Sequence, residues 1–166
     1  MTEMAGHQRF SGRILPGRGK ASGQLAALSA EMDRITGETL FPGSLNVILD
    51  WPLMLDEEAA GVFDEGRRMM WRATLNDAPV WIYRWRHAPL HAAEILSTFR
   101  LRDQLGLRDG DRVTLTLPRQ SVGTVKPLGF LAWTACWLGR RPWCYTHDAY
   151  YRRTASRCRK WGATQA

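Results

Sequence analysis

The chain is poor in cysteine, opens on residues that give no expectation of a secretory signal and lacks any apolar run long enough to cross a bilayer. Its three cysteines all fall after position 130, which excludes a disulfide framework. The opening MTEMAGHQRF has no apolar core of the kind a secretory signal carries. The longest apolar run, Leu128 to Leu138, is well short of the roughly 20 residues a membrane-spanning helix needs. There is no internal repeat and no low-complexity segment. The expectation is a cytoplasmic, monomeric protein without a transmembrane segment.

What is present fits one ordinary domain with an appendage. The 166 residues are 45% hydrophobic, enough for a core. The net charge is +7 and the isoelectric point about 9.9, which suits an anionic partner. Much of that charge is local, because Arg140, Arg141, Arg152, Arg153, Arg157, Arg159 and Lys160 lie in the last stretch.

In chain order, residues 8–15 read as a strand with Phe10, Gly12 and Ile14 on one face. Pro16-Gly17-Arg18-Gly19-Lys20-Ala21-Ser22-Gly23 follows, a basic glycine loop running from strand to helix. Such a loop lets backbone N–H groups approach a phosphate, although its spacing is neither that of a P-loop nor that of a dinucleotide fingerprint. Leu25, Leu28, Met32 and Ile35 recur at helical spacing and predict one helix over 24–36. Next comes Leu40-Phe41-Pro42-Gly43-Ser44-Leu45-Asn46-Val47-Ile48-Leu49. In a strand Ser44 and Asn46 share one face, while Leu45, Val47 and Leu49 turn to the core. Trp51-Pro52 ends the strand. The acidic stretch 53–66 has no clear assignment, and Asp56, Glu57 and Glu58 read as a solvated face.

Residues 69–75 and 80–86 predict two strands around the turn at 76–79. Val80, Ile82 and Arg84 share one face of the second strand. Trp81, Tyr83 and Trp85 share the other, either as packing residues or as a stacking surface for nucleic acid. Pro89 between His87 and His91 disfavours a helix, so these read as loop residues with polar contacts. A short segment over 92–98 carries Glu94. A short helix over 99–106 and a last strand over 111–117 complete the pattern. Short strands, one main helix and no βαβ rhythm predict a small, mainly β barrel with helical insertions. After Pro118 the composition turns aromatic and basic, and 128–138 reads as a helix. Cys136, Cys144, His147 and Cys158 are either small buried residues or a Cys3His zinc set.

Three separated segments resemble one family, the archaeal-type CTP-dependent riboflavin kinases. They are Gly12 to Ser22, Leu40 to Leu49, and Glu94-Ile95-Leu96 with Leu101-Arg102-Asp103-Gln104-Leu105-Gly106-Leu107-Arg108-Asp109-Gly110-Asp111-Arg112-Val113. The resemblance covers residues 8–117 and divides the chain into a barrel domain, 1–117, and a C-terminal extension, 118–166. The extension is expected to pack on the barrel or to be partly flexible. The resemblance implies a six-stranded cradle-loop β-barrel. It also implies transfer of the γ-phosphoryl of CTP, or another nucleoside triphosphate, to the 5′-hydroxyl of riboflavin or a related hydroxylated acceptor.

On the same resemblance, Gly17, Arg18, Gly19, Lys20, Ala21, Ser22, Phe99, Arg100, Leu101 and Arg102 contact the nucleotide. Ser44 and Asn46 hold Mg²⁺. Glu94 contacts the acceptor and orients its hydroxyl or takes its proton, while Arg18 and Lys20 stabilise developing charge. Arg86 stands where the family has a flavin-contacting threonine. Trp85-Arg86-His87-Ala88 and Ser97-Thr98 depart from the family pattern on the acceptor side, whereas the nucleotide and metal side is better kept. The alternative is a non-catalytic nucleotide or flavin sensor on the same barrel, or a nucleic-acid-binding module, although no stable nucleic acid complex is expected.

Overall fold

The alternating segments become strands in the computed structural model, which describes residues 6–17 and 21–165. These are β1 (His7–Leu15), β2 (Leu45–Leu49), β3 (Gly61–Phe63), β4 (Arg68–Leu75), β5 (Ala78–Trp85), β6 (Ala92–Leu96) and β7 (Arg112–Pro118). They pair antiparallel in the order β3-β4-β5-β6-β2-β1-β7. β7 then returns to β4 through Thr74↔Thr116 and Leu75↔Leu115. Six strands thus close into the expected barrel. β3 is a short outrigger on β4 at Arg68–Met70, where β7 does not reach.

Side chains alternate across the sheet, so one set fills the barrel. Ile14, Val47, Leu49, Trp71, Leu75, Ile82, Ile95, Leu115 and Leu117 are buried there. Gly12 is required where β1 crosses β2, because a Cβ would sit 2.6 Å from the Ile48 carbonyl oxygen and 2.9 Å from Val47 Cγ1. The acidic stretch hides buried Leu53 and Leu55, and Trp71 Nε1 donates to the Asp56 carbonyl at 2.6 Å.

The outer face carries two covers. The first is α1 (Ala21–Ala27) and α2 (Ser29–Thr36), whose Leu25 and Met32 pack on Met70, Trp81, Tyr83 and Leu96. Trp81 and Tyr83 are thereby packing residues. The single helix expected over 24–36 is instead broken at Leu28. Ser29 Oγ bonds back to the Ala26 carbonyl at 3.1 Å, the local competition by which serine disturbs a helix.

The second cover is made of α4 (Pro127–Trp137), α5 (Trp143–Thr146) and α6 (Asp148–Lys160). Trp133, Trp137, Cys144, Tyr145 and Cys158 form one cluster with Ile48, Leu90 and Ala92 of the barrel. Gly129 lets α4 rest on the final turn, because a Cβ there would lie 2.6 Å from the Gly162 carbonyl oxygen. Polar links fasten the contact. Trp133 Nε1 donates to His91 Nδ1 at 2.9 Å, and His91 Nε2 lies 3.3 Å from the Arg141 carbonyl. Burial pushes the His91 pKa down to about 3, so the ring is neutral and donates through Nε2.

Arg84 is fully buried with no carboxylate among its described partners. It donates to the carbonyls of Ala92 (2.7 Å), Leu53 (2.7 Å) and Leu90 (2.9 Å) and to Gln165 Oε1 (3.1 Å). Desolvation lowers its pKa to about 10, leaving it charged at neutral pH.

Candidate functional site

Strand register brings the separated sequence segments together. Asn46 on β2 is the cross-strand partner of Glu94 on β6. Glu94 in turn faces Tyr83 on β5, and Asn46 faces Leu15 on β1. Residues opposite each other in a sheet point to the same face, so Asn46, Glu94 and Tyr83 form one row on the outer surface. Ser44 precedes β2 and donates its hydroxyl to Glu94 Oε2 at 3.1 Å. Asn46 Nδ2 reaches the Pro16 carbonyl at 3.4 Å, which ties the row to the start of the glycine loop. Ser44, Asn46 and Glu94, proposed from sequence as metal and acceptor residues, are therefore neighbours.

The third segment joins from the other side. Arg102 donates to the Leu15 carbonyl at 3.1 Å and to Asp109 Oδ1 at 2.6 Å. A pocket of about 190 Å³ opens between the turn before β2 and the start of α3 (Leu101–Leu105); Phe41, Gly43 and Ser44 line one side and Phe99, Arg100, Leu101 and Arg102 the other. All four residues expected from the third segment thus line the same pocket as Ser44. Arg100 is on the rim with its side chain 61% exposed, paired to Asp103 at 3.3 Å.

Gly17 is exposed at the end of β1. Arg18, Gly19 and Lys20 lie outside the described residues. Ala21 and Ser22 open α1, and their side chains are likewise outside the description. Arg86 lies one residue past β5. It donates to the Gly66 carbonyl at 3.0 Å and pairs with Glu57 at 3.7 Å, so its described partners are not those of Glu94.

Sequence reasoning missed several participants. The Pro16 carbonyl has no side-chain signal at all. Tyr83 passed as a packing residue, yet its hydroxyl accepts from Arg68 Nη1, and burial pushes its pKa up to about 12. Tyr145 and Tyr151, noted only as part of an aromatic tail, come within electrostatic reach of Glu94.

The pair expected to hold the metal, Ser44 and Asn46, offers one hydroxyl and one amide oxygen, with the Glu94 carboxylate beside them. These hard oxygen ligands suit Mg²⁺, which commonly takes few protein ligands and completes its shell with water and phosphate. The Cys3His alternative has no such support: among the described residues no three His, Cys, Asp or Glu side chains gather as a metal set. No described helix is long and apolar enough to cross a membrane.

A closed six-stranded antiparallel barrel with helices on its outer face is consistent with a riboflavin-kinase-like barrel. No family model matches the chain. The chain does, however, resemble curated archaeal riboflavin kinases. It is 29% identical over 126 residues to the riboflavin kinase of Pyrobaculum islandicum, a match covering 66% of this chain and 60% of that protein. It is 31% identical over 117 residues to the riboflavin kinase of Saccharolobus solfataricus, covering 60% of this chain and 66% of that protein. The chain thus spans less than two thirds of the length of either relative.

Proposed function

We propose that the protein is a kinase of the riboflavin kinase type. It transfers the γ-phosphoryl of CTP to the 5′-hydroxyl of riboflavin, giving FMN and CDP. The observation that carries this reading is the convergence of Ser44, Asn46 and Glu94, Asn46 by strand pairing with Glu94 and Ser44 by its hydrogen bond to it, beside the pocket that Phe99 to Arg102 share. The named relatives support riboflavin and a nucleotide as substrates.

Phosphoryl transfer asks a protein mainly for positioning and charge neutralisation. In this reading the nucleotide occupies the pocket between Ser44 and Arg100, with Arg100 and the Arg18–Lys20 loop near its phosphates. Ser44 and the Asn46 amide oxygen would hold Mg²⁺, which would supply charge neutralisation for the phosphates. Asn46 Nδ2 is engaged by the Pro16 carbonyl, and that bond leaves Oδ1 available as a ligand. Glu94 orients the acceptor hydroxyl. As the oxygen–phosphorus bond forms and the bond from phosphorus to the β-phosphate oxygen breaks, the hydroxyl proton passes to the carboxylate or, through it, to water.

The test is direct. Purified protein is incubated with Mg²⁺, riboflavin and either CTP or ATP, and FMN and nucleoside diphosphate are measured. FMN is expected, with CTP the better donor. Asn46→Ala is expected to lower kcat by about 100-fold or more, the scale of losing a group that stabilises transition-state charge. Tight nucleotide binding without FMN from any donor would refute the kinase reading and leave a sensor.

A further inference from the structure

The outer face of the sheet carries three adjacent rows. Ala92 and Ile48 lie under the extension, and Trp81 and Leu96 lie under α1 and α2. Between them runs the row of Tyr83, Glu94 and Asn46, whose Tyr83 end also packs under α1 and α2. A polar strip is thus bounded on both sides by apolar cover, the arrangement expected of a slot for a flat, largely apolar ligand with polar edges.

Trp85 joins the two covers. It packs against the α1–α2 cluster, and its Nε1 donates to Tyr151 Oη on α6 at 2.8 Å. The two rings meet edge to face, 6.2 Å apart at 73°. Tyr145 on α5 is buried, and its hydroxyl has no hydrogen-bond partner among the described residues. Burial is the main cause raising the pKa of Tyr83, Tyr145 and Tyr151, and the Glu94 charge adds to it in each case. Tyr83 faces Glu94 across the strands, the Glu94 charge also reaches the neutral phenols of Tyr145 and Tyr151, and the Tyr145 hydroxyl lacks a partner among the described residues. A buried hydroxyl left unpaired is costly and rare. Pure packing at that position is served by phenylalanine.

We propose that the extension forms the second wall of the acceptor site. Tyr145 donates a hydrogen bond to an acceptor lying over Glu94 and Asn46, and Tyr151, held by Trp85, presents its ring to it. The inference rests on the kinase reading above and extends it to a part of the chain that the family resemblance does not reach. It accounts for the changed acceptor-side motif, because the recognition that Arg86 does not provide from Gly66 and Glu57 comes from α5 and α6. The ligand class it selects is a conjugated ring system with a polar edge and a hydroxylated side chain.

The test compares wild type with Tyr145→Phe and Tyr151→Leu. Riboflavin binding is followed by quenching of its fluorescence, turnover by FMN formation and folding by thermal melting. Tyr145→Phe is expected to raise the riboflavin KM about tenfold, the scale of one hydrogen bond in a closed site. The nucleotide KM should hold, and the melting temperature should be unchanged or higher. Tyr151→Leu should weaken riboflavin binding and reduce quenching. If wild type makes FMN and Tyr145→Phe leaves the riboflavin KM unchanged, this inference falls and the kinase reading stands. If wild type binds riboflavin without making FMN, the kinase reading falls and the dissociation constant of Tyr145→Phe decides this one. If wild type neither binds nor phosphorylates riboflavin, both fall.

Discussion

The two covers on the barrel are held in different ways. α1 and α2 rest mainly on apolar contact, through Leu25 and Met32. Their described polar tie to the barrel is Glu31 accepting from the Asp64 backbone at 3.0 Å. The extension has its own apolar cluster and is also pinned through His91, Arg84, Arg141 and Gln165. The charge differs as well. Residues 118–166 hold nine lysines and arginines against one aspartate, so the excess positive charge of the chain belongs to the extension and not to the barrel. Mainly apolar contact permits sliding and local opening, whereas directional bonds to a buried guanidinium fix one placement. The difference assigns motion to the cover that follows the glycine loop and rigidity to the cover that carries Tyr145 and Tyr151.

Three perturbations sharpen or break this comparison. The largest effect is expected from Arg84→Met. It removes the Arg84 donor from three carbonyls and Gln165 Oε1, although Leu90 O keeps the Leu53 N–H and Gln165 Oε1 the Leu55 N–H, and should cost about 3 kcal/mol, measured by urea unfolding. Hydrogen exchange should rise in α4 to α6 before it rises in β4 and β5. Met32→Ala, at a site 4% exposed, should cost about 2 kcal/mol and speed exchange in α1 and α2 alone. Equal spreading of exchange in both variants would erase the distinction between the covers.

Acid should act on the extension and spare α1–α2. The His91 pKa is lowered to about 3 when folded from an unperturbed value near 6.5. Between these values the unfolded chain takes up a proton that the folded chain refuses, so stability falls as pH drops below about 6.5. The limiting slope is about tenfold in the folding equilibrium per pH unit. His91→Gln, which cannot titrate, should flatten that stretch of the stability profile measured by denaturation from pH 7 to pH 4.

What the sequence discloses is local. Alternation at Val113, Leu115 and Leu117, or at Val80 and Ile82, needs only a sheet with one wet side to be read correctly. The pairing of Ser44 with Asn46 on one face was equally legible, and Glu94 joined them through a resemblance between segments. β3 escaped because three residues in an acidic stretch carry no period. The break at Leu28 escaped because apolar spacing continues through it. Tyr145 and Gln165 gave no signal, because their roles depend on docking residues that lie some 50 to 110 positions away. Arg84 was placed on the correct face by alternation, but nothing local says that a cation there is capped by carbonyls.

The seam of the barrel has a consequence for how the chain assembles. β4 and β5 pair along their whole lengths across a tight turn, while β4 and β7 meet at only two positions, and β1 must await a strand that ends at Pro118. Local hairpins form cheaply, and distant pairings must first overcome loop-closure entropy. The ring therefore closes late, once β7 exists, whereas Ile48 and Ala92 are cross-strand partners inside the sheet and Leu90 lies in the turn before β6. The extension is made after β7 and docks on the β2–β6 pair, so its seat depends on that pairing and not on the seam.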